Sequence, residues 1–135
     1  MTESPPVPSA RPLSPHLQVW RWHLTMFCSI ANRATGIALY VGALVLAAWA
    51  VCLALGPGSY GAFQGLMASL LGRLVLFGLT VSLFYHLAAG VRHLVWDAGY
   101  GYAPKVANLT AALSLAFAAV ASVLVWVAAY LTGAL

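Results

Sequence analysis

The stretch F-Y-H-L-A-A-G-V-R-H-L-V-W-D-A-G-Y-G-Y, residues Phe84 to Tyr102, closes a long apolar run and carries an unusual set of polar groups. No charged residue occurs from Leu74 to Val91, as in a membrane-spanning helix. On a helix, five residues at steps of four, four, three and four would form one stripe. They are Ser82, His86, Gly90, His93 and Asp97. Polar groups are costly in lipid, so we expect this stripe to face a partner helix, a cavity or a cofactor.

The composition places the whole chain in a membrane. Of its 135 residues, 63% are hydrophobic and 6% are charged, whereas soluble domains carry about 25% charged residues. The mean hydropathy is +0.93. We therefore predict an all-α membrane protein of one domain with three transmembrane helices. In so apolar a chain the net charge of +4 is a topology signal and does not indicate nucleic-acid binding.

Turn residues divide the chain into segments. Residues 1–30 are expected to form a Pro-rich tail, Met1 to Pro15, followed by an interfacial segment. Residues 31–135 are expected to form a three-helix transmembrane anchor, with a tight turn at residues 56–59 and a short interfacial piece at 60–67. The predicted helices cover about 31–55, 69–93 and 106–131.

The basic residues predict the orientation in the membrane. The N-terminal segment contains Arg11, Arg21 and Arg33, and the second connection has Arg92 and Lys105. The first loop has only Arg73, at its far edge. The N-terminus and the second connection should therefore face the cytoplasm, or the matrix in a mitochondrion. This topology brings Ser29 and Arg33, at the start of the first helix, level with the His93 end of the second.

His86 has two interpretations. It lies about 10 Å deeper in the membrane than His93, with polar groups above it, as expected for a haem ligand; alternatively it only hydrogen-bonds a neighbouring helix. The two histidines share one helix face, so they cannot both ligate one iron, and a second haem ligand would come from another chain. Ser29 and Arg33 suit a quinone headgroup, or Arg33 only orients the helix. Asp97 is expected to pair with Arg92 or Lys105.

Other chemistry is not supported by the sequence. The chain contains two acids and two cysteines, and it has no Gly-rich phosphate loop and no paired carboxylates. It is not expected to bind flavin or an iron–sulfur cluster by itself. Cys28 and Cys52 would lie about 36 Å apart on one helix, too far for a disulfide. A proton or metal transporter is disfavoured, because the spans lack an acidic relay.

Three motifs resemble a known family. They are R-P-L-S-P-H-L-Q-V-W (Arg11 to Trp20), S-I-A-N-R-A-T-G (Ser29 to Gly36) and H-L-A-A-G-V-R-H-L-V-W-D (His86 to Asp97). Together they resemble the cytochrome b subunit of succinate dehydrogenase, the larger membrane anchor of respiratory complex II. The resemblance covers about residues 11–131 and includes the three-helix plan.

The resemblance implies specific roles. His86 matches the axial ligand of haem b, Ser29 and Arg33 match quinone contacts, and His93 and Arg33 match residues near the haem propionates. It also implies ubiquinone as substrate, a smaller anchor subunit that supplies the second haem histidine, and the iron–sulfur and flavoprotein subunits as partners. We expect the bacterial cytoplasmic membrane rather than the mitochondrial inner membrane, because the N-terminus lacks an Arg-rich presequence pattern.

One position departs from the family, and two alternatives remain open. The family commonly has His where this chain has Asn32, and an amide cannot carry a proton as imidazole does. A proton-delivery or propionate role at this position is therefore in doubt. The alternatives are the anchor of a fumarate reductase and a haem-free structural membrane subunit in which the histidine stripe only packs helices.

Overall fold

The computed structural model describes residues 21–133, and within that range it contains four helices and no strand. They are α1 (Leu24–Ala54), α2 (Pro57–Ala68), α3 (Leu70–Asp97) and α4 (Pro104–Leu131). Helices α1, α3 and α4 are each long and apolar enough to cross a membrane. This confirms the predicted all-α fold with three spanning helices. The Pro-rich tail and the first motif, Arg11 to Trp20, lie outside the described residues.

Helix α1 begins at Leu24, seven residues before the predicted start at residue 31. No proline or glycine occurs between Leu24 and Thr35 to interrupt the start of this helix. The segment is also held by packing, because Cys28 is buried with its Sγ 4.0 Å from the Ala111 carbonyl oxygen of α4. Its 31 residues extend about 46 Å, more than the roughly 30 Å of hydrocarbon. Arg33 therefore lies well inside a helix and not at its entrance.

The turn after α1 is shorter than predicted. Gly56 adopts φ 104° and ψ −178°, a backbone region that is essentially restricted to glycine. Pro57 then starts α2 directly, since its fixed φ suits the first helical position. Consequently Pro57 to Ser59 form the first turn of α2 and not a loop, and the short interfacial piece is a 12-residue helix.

The corner between α2 and α3 depends on Ser69 and Gly72. The Ser69 hydroxyl accepts a hydrogen bond from the Gly72 backbone N–H at 3.1 Å, which caps the start of α3. Gly72 lies directly against the backbone of Leu66 and Met67, so any Cβ at this position would overlap that backbone. This contact turns the chain back into the membrane as α3.

Small side chains form the buried centre of the bundle. The buried residues of the three spanning helices are Cys28 in α1, Gly72, Ser82, Tyr85 and Ala89 in α3, and Ala111, Ser114, Ala118 and Ser122 in α4. The three serine hydroxyls each donate to the carbonyl oxygen four residues earlier in their own helix. Small residues allow close helix approach, as is usual in membrane bundles. The large apolar side chains are mostly exposed on the outside of the bundle.

Candidate functional site

His86 lies at the contact between α3 and α1. Its side chain is half-buried, and its Nδ1 is 3.3 Å from the Thr35 hydroxyl oxygen of α1. The imidazole also packs against Gly36, where an added Cβ would lie 3.3 Å from Cε1. The other ring nitrogen, Nε2, has no hydrogen-bond partner among residues 21–133. One nitrogen is therefore held by the chain, and the other is free to bind a group outside it.

The contacts between α1 and α3 set which residues share a depth in the membrane. The helices run antiparallel: Thr35 meets His86, whereas Gly42, seven residues further along α1, meets Leu79, seven residues earlier in α3. Nearer the end of the bundle where α1 begins and α3 ends, called the inner end below, the Tyr85 hydroxyl donates to the Cys28 carbonyl oxygen at 2.7 Å. The relative depth of any α1 residue and His86 follows from this register.

Ser29 and Arg33 lie at different depths relative to the histidines. Ser29 precedes Thr35 by six residues and is thus about 9 Å nearer the inner end than His86, close to the level of His93. Arg33 precedes it by two residues, about 3 Å, so it lies nearer the depth of His86 than expected. Both side chains are exposed, and their spacing of four places them side by side on one face of α1.

The rest of the polar stripe runs from the core to the surface of α3. Ser82 is buried, His86 is half-buried, and Gly90, His93 and Asp97 are exposed. All five lie on one continuous helix that extends to Asp97, which confirms the predicted stripe. At Gly90 no atom lies within 4 Å of where a Cβ would be. The inner half of the stripe is therefore open on the surface of this chain.

His93 is held by its own helix. Its Nδ1 is 2.7 Å from the Ala89 carbonyl oxygen, and because a carbonyl can only accept, Nδ1 is the donor. Its ring meets the edge of Trp96 with 5.3 Å between centroids. Neither His93 nor His86 is joined to Ser29 or Arg33 by a hydrogen bond or ion pair within the described range.

The expected ion pair of Asp97 is absent, and this prediction is wrong for residues 21–133. Arg92 instead binds α4: its guanidinium donates to the Thr110 hydroxyl and the Ala107 carbonyl oxygen, both at 3.1 Å. The same guanidinium lies 3.9 Å from the centre of the Trp96 ring. Arg92 is thus engaged by α4 and Trp96. The exposed Asp97 carboxylate is paired neither with Arg92 nor with Lys105, and it has no partner within the described chain.

Two buried polar groups near the stripe did not emerge from the sequence as site residues. Tyr85, 3% exposed, precedes His86 and ties α3 to α1 through Cys28. Its position next to a membrane histidine was the only available signal. Asn32 has a buried Oδ1 that finds no hydrogen-bond partner among residues 21–133. A buried acceptor without a donor is costly, so this oxygen is a candidate for a contact outside the chain.

A separate cavity of about 520 Å³ lies toward the opposite end of the bundle, between α1, α2 and α3. Its lining is mostly apolar, and its polar members are Gln64 and Arg73. It is remote from the inner half of the histidine stripe. Among residues 21–133 no group of three or more His, Cys, Asp or Glu side chains could hold a metal ion.

Known proteins match this chain over most of its length. The family model for the succinate dehydrogenase/fumarate reductase transmembrane subunit matches residues 8–125. The succinate dehydrogenase cytochrome b556 subunit of Paracoccus denitrificans is 41% identical over 114 residues, which cover 84% of this chain and 88% of that protein. The cytochrome b556 subunit of Rickettsia felis is 33% identical over 117 residues, covering 87% and 91%.

A mitochondrial relative matches a shorter region. The cytochrome b560 subunit of Sus scrofa succinate dehydrogenase is 43% identical over 98 residues, which cover 69% of this chain and 56% of that protein. Bacterial and mitochondrial proteins are thus both among the relatives, and they do not decide which membrane holds this chain. The family match and these identities, together with the three spanning helices, show that the chain belongs to the family of succinate dehydrogenase/fumarate reductase transmembrane subunits.

Proposed function

We propose that the chain is a haem b-binding membrane anchor of succinate:quinone oxidoreductase and forms part of its ubiquinone site. The observation that carries the haem assignment is the state of His86: Nδ1 is held by Thr35, and Nε2 has no partner in the described chain. Open space at Gly90, one turn nearer the inner end on the same face, gives a flat macrocycle room to approach. The relatives' names, cytochrome b556 and b560 subunits, agree with this assignment.

The residues present fit one half of a haem site. His86 would supply one axial nitrogen, and a histidine of a second anchor subunit would supply the other. When bound, haem provides a one-electron redox centre whose potential depends on its axial ligands and their hydrogen bonds. His93, exposed near the inner end with its Nδ1 bonded to Ala89, and Arg33 are the groups proposed to lie near the propionates.

Ser29 and Arg33 are proposed to bind the quinone headgroup. Both side chains are exposed on one face of α1, toward the inner end of the membrane. A hydroxyl and a guanidinium both donate hydrogen bonds, and a quinone carbonyl oxygen accepts them. Negative charge develops on that oxygen during reduction, so a fixed cation stabilises the reduced state more than the ground state. Both residues would thus bind the headgroup, and Arg33 would also favour its reduction.

The remaining catalytic parts belong to other subunits. Electrons from succinate would pass through a flavoprotein subunit and an iron–sulfur subunit to ubiquinone at this inner surface. We place the complex in the bacterial cytoplasmic membrane, with the N-terminus of this chain on the cytoplasmic side. The chain's exposed apolar side chains are available to the second anchor subunit and to lipid.

The haem assignment is tested by a reduced-minus-oxidised optical spectrum of membranes that contain the whole complex. We expect a b-type band that disappears or shifts in His86→Ala. His23→Gln is the control, because His23 lies at the start of α1 and, within residues 21–133, its side chain hydrogen-bonds only the nearby Arg21 carbonyl oxygen. If the wild-type complex shows no b-type band, the haem-free structural subunit is the correct interpretation.

The quinone assignment is tested by comparing two electron acceptors. Arg33→Ala should lower succinate–ubiquinone activity on the order of 10²-fold, the usual cost of losing one charge-stabilising donor, while succinate oxidation with an artificial acceptor is kept. Arg33→Lys should lose less, because it keeps the charge. Equal loss of both activities would indicate faulty assembly instead. Activity predominantly in the direction of fumarate reduction would favour the fumarate reductase alternative, which the family includes.

A further inference from the structure

The Thr35 hydroxyl has three acceptor or donor groups around it. Its Oγ1 lies 2.8 Å from the Ala31 carbonyl oxygen, 3.1 Å from that of Asn32 and 3.3 Å from Nδ1 of His86. A hydroxyl has one proton to donate and two lone pairs that accept. The shortest contact is to a carbonyl, which can only accept, so the proton is directed to Ala31. Toward His86 the hydroxyl oxygen therefore offers a lone pair, and Nδ1 must carry the proton.

We infer that Thr35 is a positioning residue that fixes the tautomer and orientation of His86. With the proton on Nδ1, the Nε2 lone pair is available for a metal. Gly36 supports this arrangement, because a Cβ there would lie 3.3 Å from Cε1, so the missing side chain leaves the ring its room beside α1. Two consecutive residues of α1 thus determine where a side chain of α3 lies. The inference rests on the proposed role of His86 as a haem ligand.

His93 and His86 differ in the helix that supplies the hydrogen-bond partner of Nδ1. His93 is oriented by a carbonyl of its own helix, Ala89, four residues earlier. His86 is oriented by a hydroxyl on a different helix, 51 residues away in sequence. The direction of its Nε2 therefore depends on the packing of α1 against α3. The hydrogen bond that Nδ1–H donates to Thr35 also increases the basicity of Nε2, which favours the ferric over the ferrous state of a bound haem.

The first experiment detects the tautomer without haem. The full-length chain, with ¹⁵N-labelled histidine, is studied by NMR in detergent micelles, and the His86 signals are assigned by their loss in His86→Gln. We expect a neutral ring with the proton on Nδ1 in the wild type. In Thr35→Val, which keeps the shape but removes the acceptor, the proton should redistribute to Nε2. An unchanged tautomer in Thr35→Val would overturn the inference.

The chain provides a matched control in Thr80. Its hydroxyl also donates to the carbonyl four residues earlier, that of Leu76 at 2.8 Å, and it also accepts a ring N–H from another helix, that of Trp126 at 3.2 Å. Thr80→Val therefore removes the same kind of hydroxyl from a membrane helix without touching His86. It should leave the His86 tautomer unchanged, and Thr35→Ser should preserve it.

The second experiment uses the assembled complex. Thr35→Val should retain haem but raise its midpoint potential and shift the g values of its ferric EPR spectrum, whereas Thr35→Ser and Thr80→Val should match the wild type. If haem is present and depends on His86, yet Thr35→Val changes neither quantity, the inference fails and the proposed function stands. Absence of haem in the wild type would overturn the proposed function alone, because the NMR result still decides the tautomer. If Thr35→Val does not assemble, that NMR result decides as well.

Discussion

The hydrogen bond from Tyr85 to Cys28 offers a quantitative test of how α1 and α3 are joined. The perturbation is Tyr85→Phe, which removes the hydroxyl that donates to the Cys28 carbonyl oxygen at 2.7 Å and keeps the buried ring. Cys28 lies inside α1, so its carbonyl still accepts the helical hydrogen bond from Asn32. The carbonyl is therefore not left without a donor, and the large penalty for an unsatisfied buried group does not apply.

The expected cost is that of one interhelical hydrogen bond in a membrane protein. Such bonds contribute about 0.6 kcal/mol on average and up to about 1.7 kcal/mol. We place Tyr85→Phe in the upper half of this range, about 1–1.7 kcal/mol, because the bond is short and the side chain is 3% exposed. The free energy of unfolding can be measured by reversible titration of the full chain from mixed micelles into SDS, followed by tryptophan fluorescence.

Tyr40 provides the control for this measurement. This tyrosine of α1 is 70% exposed and has no side-chain hydrogen bond within the described residues, so Tyr40→Phe should change the free energy by less than about 0.5 kcal/mol. If Tyr85→Phe is indistinguishable from this control, the bond does not contribute to the α1–α3 contact. A loss above about 3 kcal/mol would instead mean that the helical bond of Cys28 is lost as well.

Two further substitutions test the corners of the bundle by the same titration. Gly72→Ala should destabilise the chain by about 2 kcal/mol or more, because the added methyl overlaps the backbone between α2 and α3. Gly58→Ala is the control and should cost under about 0.5 kcal/mol, because nothing lies within 4 Å of its added Cβ. Equal effects of the two substitutions would contradict the described packing at Gly72. Arg92→Lys keeps the charge but cannot both stack on Trp96 and reach Thr110, so a loss of about 1–2 kcal/mol is expected. An unchanged free energy for Arg92→Lys would mean that the charge alone holds this end of α3 to α4.

The boundaries of α1 and α2 show where local signals were insufficient. Hydropathy predicts that α1 starts at residue 31, but the burial of Cys28 against α4, with Leu24 partly buried against the same core, extends the helix to Leu24. Gly56 and Pro57 predict a break in the helix, but only the backbone at Gly56 shows that α2 begins immediately after it. In both places a contact or a dihedral angle, which no window of sequence contains, decided the boundary.

The sequence alone determined the class of the protein, the three spanning helices and the polar stripe of α3. These features depend on composition and on the spacing of residues along one helix, which are local properties. It also predicted His86 as a haem ligand and the Ser29–Arg33 pair as quinone contacts, and these roles stay predictions. The stripe requires only that α3 is continuous, and α3 extends without a break from Leu70 to Asp97.

Only the tertiary structure decided which residues meet across helices. The pairing of Thr35 with His86, the depth of Arg33, the binding of Arg92 to α4 and the lack of a partner for Asp97 within residues 21–133 all depend on the register and rotation of one helix against another. These quantities arise from the packing of small side chains between helices that are distant in sequence. Apolar periodicity specifies that a helix has a buried face, but it does not specify which residue of another helix that face will meet.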